Sequence, residues 1–320
     1  MSLPARSPTV LVWDQLDYLD WSYDIERSLL EMAGVRLLVP QRSDADDHLA
    51  EADVVIVHDG PFGADRMSRL RHPLGLVCYS VGMDQVDARA AEAAGIPVRN
   101  LPRWATQVVA EHGLTLLLAA LRRLPAQDAG ARTTRWDHRK LIADLGIELF
   151  SLQTVGIIGA GRIGQAFAQR ARALGFRTIA TDPADPDTGP ELPLVALPEL
   201  LAISDAVVVM ASLTDTSRGL MDEAAFAGMK PGAAFVNVAR GPIVVESALA
   251  DALRSGRLAF AALDVRAVEP PSPETDPLRD VPNLVLTPHT AWVAATSHRA
   301  YHEEAAVVSL ELLRSAGRIA

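Results

Sequence analysis

Residues Thr154-Val-Gly-Ile-Ile-Gly159-Ala-Gly161-Arg-Ile-Gly164, followed by Arg177-Thr-Ile-Ala-Thr-Asp182, constrain the fold more than any other part of the chain. They read as a strand, a glycine-rich turn, a helix, a second strand and an acid at that strand's end. Val155, Ile157 and Ile158 form the apolar run before the turn. Ile163, Phe167, Ala171 and Leu174 then recur at helical spacing, with Arg162, Gln165, Gln169 and Arg172 on the other side. Gly175 ends the helix. Gly159 permits the tight turn, Gly161 lets a pyrophosphate approach the backbone, and Gly164 lets helix and strand pack closely. The amides at the helix N-terminus, those of Arg162 and Ile163 among them, then face the phosphates.

A bare GxGxxG also occurs in βαβ turns that hold no ligand. The flanking strand and helix patterns favour a dinucleotide site here. Asp182 lies roughly 20 residues past the turn, where a carboxylate accepts hydrogen bonds from an adenosine ribose. Its charge opposes a 2′-phosphate, and Pro183-Ala184 brings no arginine to compensate. NAD is therefore expected rather than NADP.

The 320 residues suffice for two domains of ordinary size. With 49% hydrophobic and 22% charged residues, the chain reads as well-packed and globular. Its net charge of -10 opposes general nucleic-acid binding, which needs a basic surface. The single cysteine, Cys78, excludes an intramolecular disulfide. It lies in the apolar run Leu76-Val-Cys-Tyr79 and reads as a small hydrophobe, with a reactive thiol as the alternative. No segment approaches about 18 uninterrupted apolar residues, and the N-terminus lacks a signal-peptide core. A cytoplasmic protein with no membrane partner is expected.

Strands and helices alternate. In the first hundred residues the strand-like runs are Thr9–Trp13, Val35–Val39, Val54–Val57, Leu76–Tyr79 and Ile96–Val98, with a helix from Asp84 to Ala94 before Gly95. A long helix from Ala105 to about Leu124 opens a second unit. A polar stretch follows around residues 128–140. Beyond the glycine-rich segment, strands read at Ala206–Met210, Ala234–Val238, Ala259–Asp264 and Leu284–Thr287. Residues Ala291 to Ala320 read as helix that can return to the first unit. This alternation predicts two doubly wound parallel sheets covered on both faces. Ligands in such sheets bind outside the carboxyl ends of the strands.

Three polar residues follow strand-like runs: Arg240 in Asn237-Val-Ala-Arg-Gly241, Glu269 in Asp264-Val-Arg-Ala-Val-Glu-Pro270, and His289 in Thr287-Pro-His-Thr-Ala-Trp292. Singly, each is equally read as a structural ion pair, a solvated loop acid or a capped loop histidine. Together they suit one reaction. Moving hydride between nicotinamide and a carbonyl requires a proton to reach or leave the oxygen, and imidazole can give and take one near neutral pH. A neighbouring carboxylate holds the ring and favours its charged form. An arginine can grip a substrate carboxylate through two hydrogen bonds. No metal ligand set is expected.

Over almost its whole length the chain resembles the D-isomer-specific 2-hydroxyacid dehydrogenase family. The matching stretches are Gly82-Met-Asp84, Ala90-Ala91, Gly95-Ile96, Val109-Ala-Glu111, Gly159 to Gly164, Met229-Lys-Pro-Gly232, Val236 to Gly241, Ala262-Leu-Asp-Val265, Glu269-Pro270 and Thr287-Pro-His289. The resemblance implies an α/β fold of two domains. A flavodoxin-like substrate domain would span 1–101 plus 290–320, and a Rossmann NAD-binding domain 102–289. It implies His289 as general acid/base, Glu269 as its partner and Arg240 as substrate clamp. Backbone amides of Val81 and Gly82 would bind the substrate carboxylate. Asp264 would hydrogen-bond the nicotinamide carboxamide, with Thr106 and Val238 also against the cofactor. The helix and arm from Ala105 to about Phe150 would form a homodimer interface.

Within the family the chain is most similar to the branch of the C-terminal-binding-protein corepressors and related phosphoglycerate-dehydrogenase-like members. Gly161–Ala166, Arg170–Phe176 and Thr287–Trp292 carry that likeness. It makes Trp292 a candidate substrate contact, with packing under the last helix as the alternative. It also opens a second functional class, an NAD(H)-sensing dimeric binding protein with little turnover. Departures are Met210-Ala-Ser-Leu-Thr214 in place of His-x-Pro-Leu-Thr, and Arg266 in place of an apolar or small residue. Arg266 is expected either to add positive charge near the site or to face solvent. Val81 weighs against phosphite as substrate and Glu269 against formate. No regulatory domain follows the last helix, so serine control is not expected. His58 reads as a specificity contact or a surface residue. Asp59 disfavours a phosphorylated substrate, and Trp104 offers an apolar wall. The expected partner is a small uncharged or apolar 2-oxo or 2-hydroxy acid.

Overall fold

The structure, a computed structural model, describes residues 6–14, 22–133 and 147–320. Part of the expected dimer arm, residues 134–146, lies outside the described residues. The chain forms two compact units, Met1–Ala105 with Ala294–Ala320 and Thr106–Val293. The division falls at 105/106 and 293/294, where the sequence reading places it at 101/102 and 289/290.

The first unit holds five strands: β1 (Thr9–Trp13), β2 (Arg36–Leu38), β3 (Val54–Val57), β4 (Gly75–Cys78) and β5 (Val98–Arg99). They pair in the order β2-β1-β3-β4-β5, every pair parallel. This is the flavodoxin-like order. β-branched and aliphatic residues fill β1, β3 and β4 because both faces of a parallel sheet are buried. Val10, Val12, Val54 and Ile56 face one core with Leu30 and Tyr301, while Leu11, Trp13, Val55 and Val57 face another with Leu49 and Phe62. The strand period of two assigns alternate residues to opposite faces. Helices Asp24–Met32 and Ala295–Ser315 cover the first face. Fully buried Cys78 belongs to the second core, and burial together with the Asp84 charge pushes its thiol up to about 12. That overturns the reactive-thiol alternative.

The expected helix from Asp84 is shorter, Ala88–Ala93, and starts where the Asp87 carboxylate accepts from the Ala90 amide at 3.0 Å. An N-terminal cap of this kind competes with helix extension toward Asp84. The last helix starts at Ala295 rather than Ala291. Residues 290 and 291 are held instead by a carboxylate of the second unit, as described below.

The second unit holds β6 (Thr154–Ile158), β7 (Arg177–Thr181), β8 (Ala206–Val209), β9 (Ala233–Asn237), β10 (Leu258–Leu263) and β11 (Leu284–Leu286), in the order β11-β10-β9-β8-β6-β7 and all parallel. β7 lies on one side of β6, and the chain then crosses to β8 on the other. The glycine-rich turn leaves β6 at this reversal of strand order, the place where such sheets take ligands. No helix among the described residues is long and apolar enough to cross a membrane.

The turn permits little substitution. Gly159 has φ +100, and a Cβ added at Gly164 would lie 2.0 Å from the Gly159 carbonyl oxygen. Backbone must move to admit a methyl group there. Gly164→Ala is expected to lower unfolding free energy by about 2 kcal/mol. Chemical denaturation of both proteins measures this, and a change within about 0.5 kcal/mol refutes the packing assigned to this turn.

Candidate active site

The glycine turn is braced by the acid expected to read the ribose. Asp182 Oδ2 accepts from the Ala160 amide at 2.8 Å, and Oδ1 accepts from the Ala184 amide at 2.9 Å. Gln165 Nε2 donates to the Ala160 carbonyl at 2.9 Å, and the Gln165 amide donates to Gly161. The amides of Arg162, Ile163 and Gly164 precede that first helical bond and have no acceptor within the helix. A Cβ at Gly161 would meet nothing within 4 Å. The turn therefore presents open space and helix-terminal donors to a pyrophosphate, the chemistry a dinucleotide needs. Thr106 and Arg162, both expected near the cofactor, line one cavity of about 480 Å³ with Gln107, Gln165 and Thr188. Val238 is buried at the end of β9, its side chain beside Gly113.

β9 also delivers Arg240. Asn237, fully buried, spans the turn after the strand: its Nδ2 donates to the Arg240 carbonyl at 3.0 Å, and its Oδ1 accepts from the Ala239 amide at 3.0 Å. The Arg240 side chain is half-buried, and Nη1 donates to the Ala239 carbonyl at 2.9 Å.

Glu269 and His289 meet. His289 Nδ1 lies 2.6 Å from Glu269 Oε2, and the Arg266 amide donates to Glu269 Oε1 at 2.7 Å. Burial pushes the Glu269 carboxyl up, but the hydrogen bond and charge of His289, the Arg266 amide and the Arg240 charge outweigh it. Its pKa lies below the ordinary glutamate value, so it remains a carboxylate beside the imidazole. The His289 side chain is 42% exposed, which leaves the ring reachable from outside.

The loop bearing His289 is held by Asp264, 1% exposed at the end of β10. Oδ1 accepts from Thr287 Oγ1 at 2.6 Å and from the Thr290 amide at 2.9 Å, and Oδ2 accepts from the Ala291 amide at 2.9 Å. The His289 amide donates to the Asp264 carbonyl at 2.7 Å. His289 itself has φ +52, a left-handed conformation uncommon outside glycine that persists when its surroundings fix it. Burial raises the Asp264 pKa, but these donors and His112 outweigh it and hold it below the ordinary value. The sequence reading gives Asp264 to the nicotinamide; the structure adds this anchoring role.

His112 is missed by the sequence reading. On helix Thr106–Leu121, its Nε2 lies 3.2 Å from Thr287 Oγ1 and 3.5 Å from Asp264 Oδ1. Its place beside the Val109-Ala-Glu111 motif is the one signal that could have pointed to it. Arg266 corrects an expectation. It neither faces solvent nor offers a loose charge: it is 8% exposed and paired with Glu246 and Asp276. Trp292 is half-buried at the end of the anchored loop, followed by exposed Val293. Among the described residues no cluster of three His, Cys, Asp or Glu side chains is placed to hold a metal ion.

In the first unit, Val81 and Gly82 follow β4. Their carbonyls accept from Asn100 Nδ2 and Ser80 Oγ, each at 2.6 Å, so the loop is fixed from within the unit. His58 is 6% exposed, which overturns its surface reading. Its Nδ1 lies 2.9 Å from Tyr23 Oη and 3.1 Å from Asp14 Oδ2. Trp104 packs on Tyr301 of the last helix, ring centroids 4.3 Å apart. Beneath them, fully buried His302 pairs with Glu26 at 2.7 Å and meets Tyr79 Oη at 2.7 Å. This buried polar group is also absent from the sequence reading.

Sheet order and glycine turn define a dinucleotide-binding architecture, with Arg240, Glu269 and His289 following three neighbouring strands, β9, β10 and β11. Residues 114–291 match the family model described as D-isomer specific 2-hydroxyacid dehydrogenase, NAD binding domain. The chain is 39% identical over 278 residues to D-3-phosphoglycerate dehydrogenase of Mycobacterium bovis, covering 85% of this chain and 52% of that protein. It is 34% identical over 253 residues to hydroxypyruvate reductase of Thermotoga maritima, covering 78% of this chain and 81% of that one. A Thermus thermophilus crystal structure superposes with a TM-score of 0.80 at 33% identity, covering 96% and 97% of the two chains. The chain belongs to the D-isomer-specific 2-hydroxyacid dehydrogenase family, with NAD as the cofactor of its second unit. It spans about half the length of the phosphoglycerate dehydrogenases it matches.

The Asp264 anchor has a pH signature. An unfolded aspartate titrates near about 3.9. The folded group titrates lower, so below neutral pH the unfolded state takes up its proton first and stability rises with pH through that window. Its contribution is complete above about pH 5 and is lost as pH falls through the folded value. Asp264→Asn is expected to destabilise at pH 7, with the gap to the wild type narrowing toward about pH 3. Denaturant unfolding across that range measures it; a gap that stays constant contradicts the anchor.

Proposed function

We propose that this protein is an NAD-dependent oxidoreductase that interconverts a 2-oxo acid and the corresponding D-2-hydroxy acid. The observation that carries this reading is the Glu269–His289 contact of 2.6 Å on a loop pinned to the end of β10. Bound nicotinamide supplies hydride to the substrate carbon in reduction and accepts it in oxidation. Glu269 holds Nδ1 of His289, which leaves Nε2 to hand a proton to the carbonyl oxygen or to take one from the hydroxyl. The Arg240 guanidinium supplies two parallel donors for a carboxylate. In the first unit the Val81 and Gly82 amides are proposed carboxylate donors. The amides of Arg162 and Ile163 hold the pyrophosphate, and Asp182 the adenosine ribose.

The substrate is proposed to be unphosphorylated. The segments after β3 and β4, residues 58–63 and 79–87, contain no Lys or Arg and carry Asp59, Asp84 and Asp87, and Asp14 directly follows β1. His58 is committed to Asp14 and Tyr23. A phosphoryl dianion at these loops would meet acids without a compensating cation. A small uncharged or apolar side chain fits instead. Exposed Leu124, Leu149 and Leu152 support a homodimer through this part of the second unit.

NADH oxidation against pyruvate, glyoxylate, hydroxypyruvate and 3-phosphohydroxypyruvate tests the reading. At least one unphosphorylated acid is expected to exceed the phosphorylated one by about 100-fold in kcat/KM. His289→Ala is expected to remove turnover while NADH binding persists. Tight NADH binding with no turnover of any acid would replace this reading with the nucleotide-sensing one. Asp182→Ala with an arginine introduced nearby is expected to shift the ratio of NADH to NADPH use toward NADPH by about tenfold. An unchanged ratio refutes the ribose assignment.

A further inference from the structure

Arg266 is nearly buried, yet nothing in the proposed chemistry uses its side chain. Its guanidinium is gripped from two sides. Nε and Nη2 donate to Glu246 Oε1 and Oε2 at 2.9 and 3.1 Å, a bidentate pair with the first turn of helix Glu246–Arg254. Nη2 also donates to Asp276 Oδ1 at 2.5 Å. Glu246 takes a further bond from the Ala267 amide at 2.8 Å, so side chain and backbone of this turn are fixed by the same carboxylate.

The backbone of Arg266 touches both halves of the chemistry. Its amide donates to Glu269 Oε1 at 2.7 Å, opposite the oxygen that meets His289. Its carbonyl lies against Gly241, where an added Cβ would come within 1.8 Å of the Arg266 oxygen. Gly241 directly follows Arg240 in sequence. The turn at Arg266 is thus wedged between the segment that carries the arginine clamp and the carboxylate that orients the imidazole. A bidentate guanidinium anchor fixes direction as well as distance.

We propose that Arg266 is a positioning residue: locked by Glu246 and Asp276, it sets the backbone that aims Glu269 at His289 and seats the Arg240 segment. This rests on the proposed dehydrogenase reading for its kinetic consequence, but the geometry is testable without turnover. Arg266→Lys keeps the charge and loses the planar fork, so it leaves no isolated buried carboxylates. Arg266→Met with Glu246→Gln and Asp276→Asn removes fork and charges together and serves if the lysine variant fails to fold.

The experiment follows the His289 imidazole by NMR titration in the wild type, Arg266→Lys, Glu269→Gln and the double variant, and measures kcat and KM for the same four proteins. Arg266→Lys is expected to move the His289 midpoint in the direction of Glu269→Gln. It should lower kcat by about tenfold with KM for NADH unchanged. In the double variant Arg266→Lys should add nothing to the effect of Glu269→Gln, because it acts through that residue. A His289 midpoint unmoved by Arg266→Lys, or kcat losses that multiply in the double variant, overturns the proposal. A wild type that turns over no 2-oxo acid removes the dehydrogenase reading alone, since the titration still decides whether Arg266 aims the pair.

Discussion

The buried carboxylate of Asp264 is the contact on which the placement of the His289 loop depends. It sits at the end of β10, takes a hydroxyl and two amides from the loop after β11, and faces His112. A buried charge of this kind is tolerated only because each oxygen is supplied with donors. The same bonds impose the left-handed backbone of His289, a conformation that costs on the order of 1 kcal/mol or more elsewhere. The imidazole is therefore placed by the end of β10 through Asp264.

A second layer of fixed charge lies behind the first. Glu269 is aimed by the Arg266 amide, and the Arg266 turn is tied to Glu246 and Asp276. Asn237 performs the corresponding task for Arg240 by bridging two backbone groups of its turn. The turns bearing Arg240, Glu269 and His289 are each held by a buried polar residue: Asn237, Arg266 and Asp264 respectively. Under the proposed function, such support limits the reorganisation that proton transfer and carboxylate binding require.

The sequence showed the parts whose physics is local. The glycine turn is legible because its positive φ at Gly159 and the contact at Gly164 are demands on single residues, readable at fixed spacing. The strands are legible because parallel sheets buried on both faces leave continuous apolar runs. Arg240, Glu269 and His289 stand out because each is a polar residue a few positions past a strand-like run, the place where such sheets take ligands. What escaped was contact between distant segments. Glu26 and His302 are separated by 276 positions, and neither flanks a motif. From sequence Arg266 reads as a solvent-facing residue or as charge near the site, because its partners Glu246 and Asp276 lie 20 and 10 positions away on elements of different type. His112 carries no signal of its own beyond its place beside Val109-Ala-Glu111. Asp87 shortened a helix by capping it, a choice that pattern alone leaves open by several residues.

The proposed function requires hydride to reach the substrate carbon on one defined face while His289 handles the proton. Incubation with NADH deuterated at the transferring C4 position and an unphosphorylated 2-oxo acid, followed by chiral separation and mass analysis of the product, tests this directly. The expected product is the D-2-hydroxy acid carrying one deuterium at C2. A product of L configuration, or one without deuterium at C2, contradicts the account.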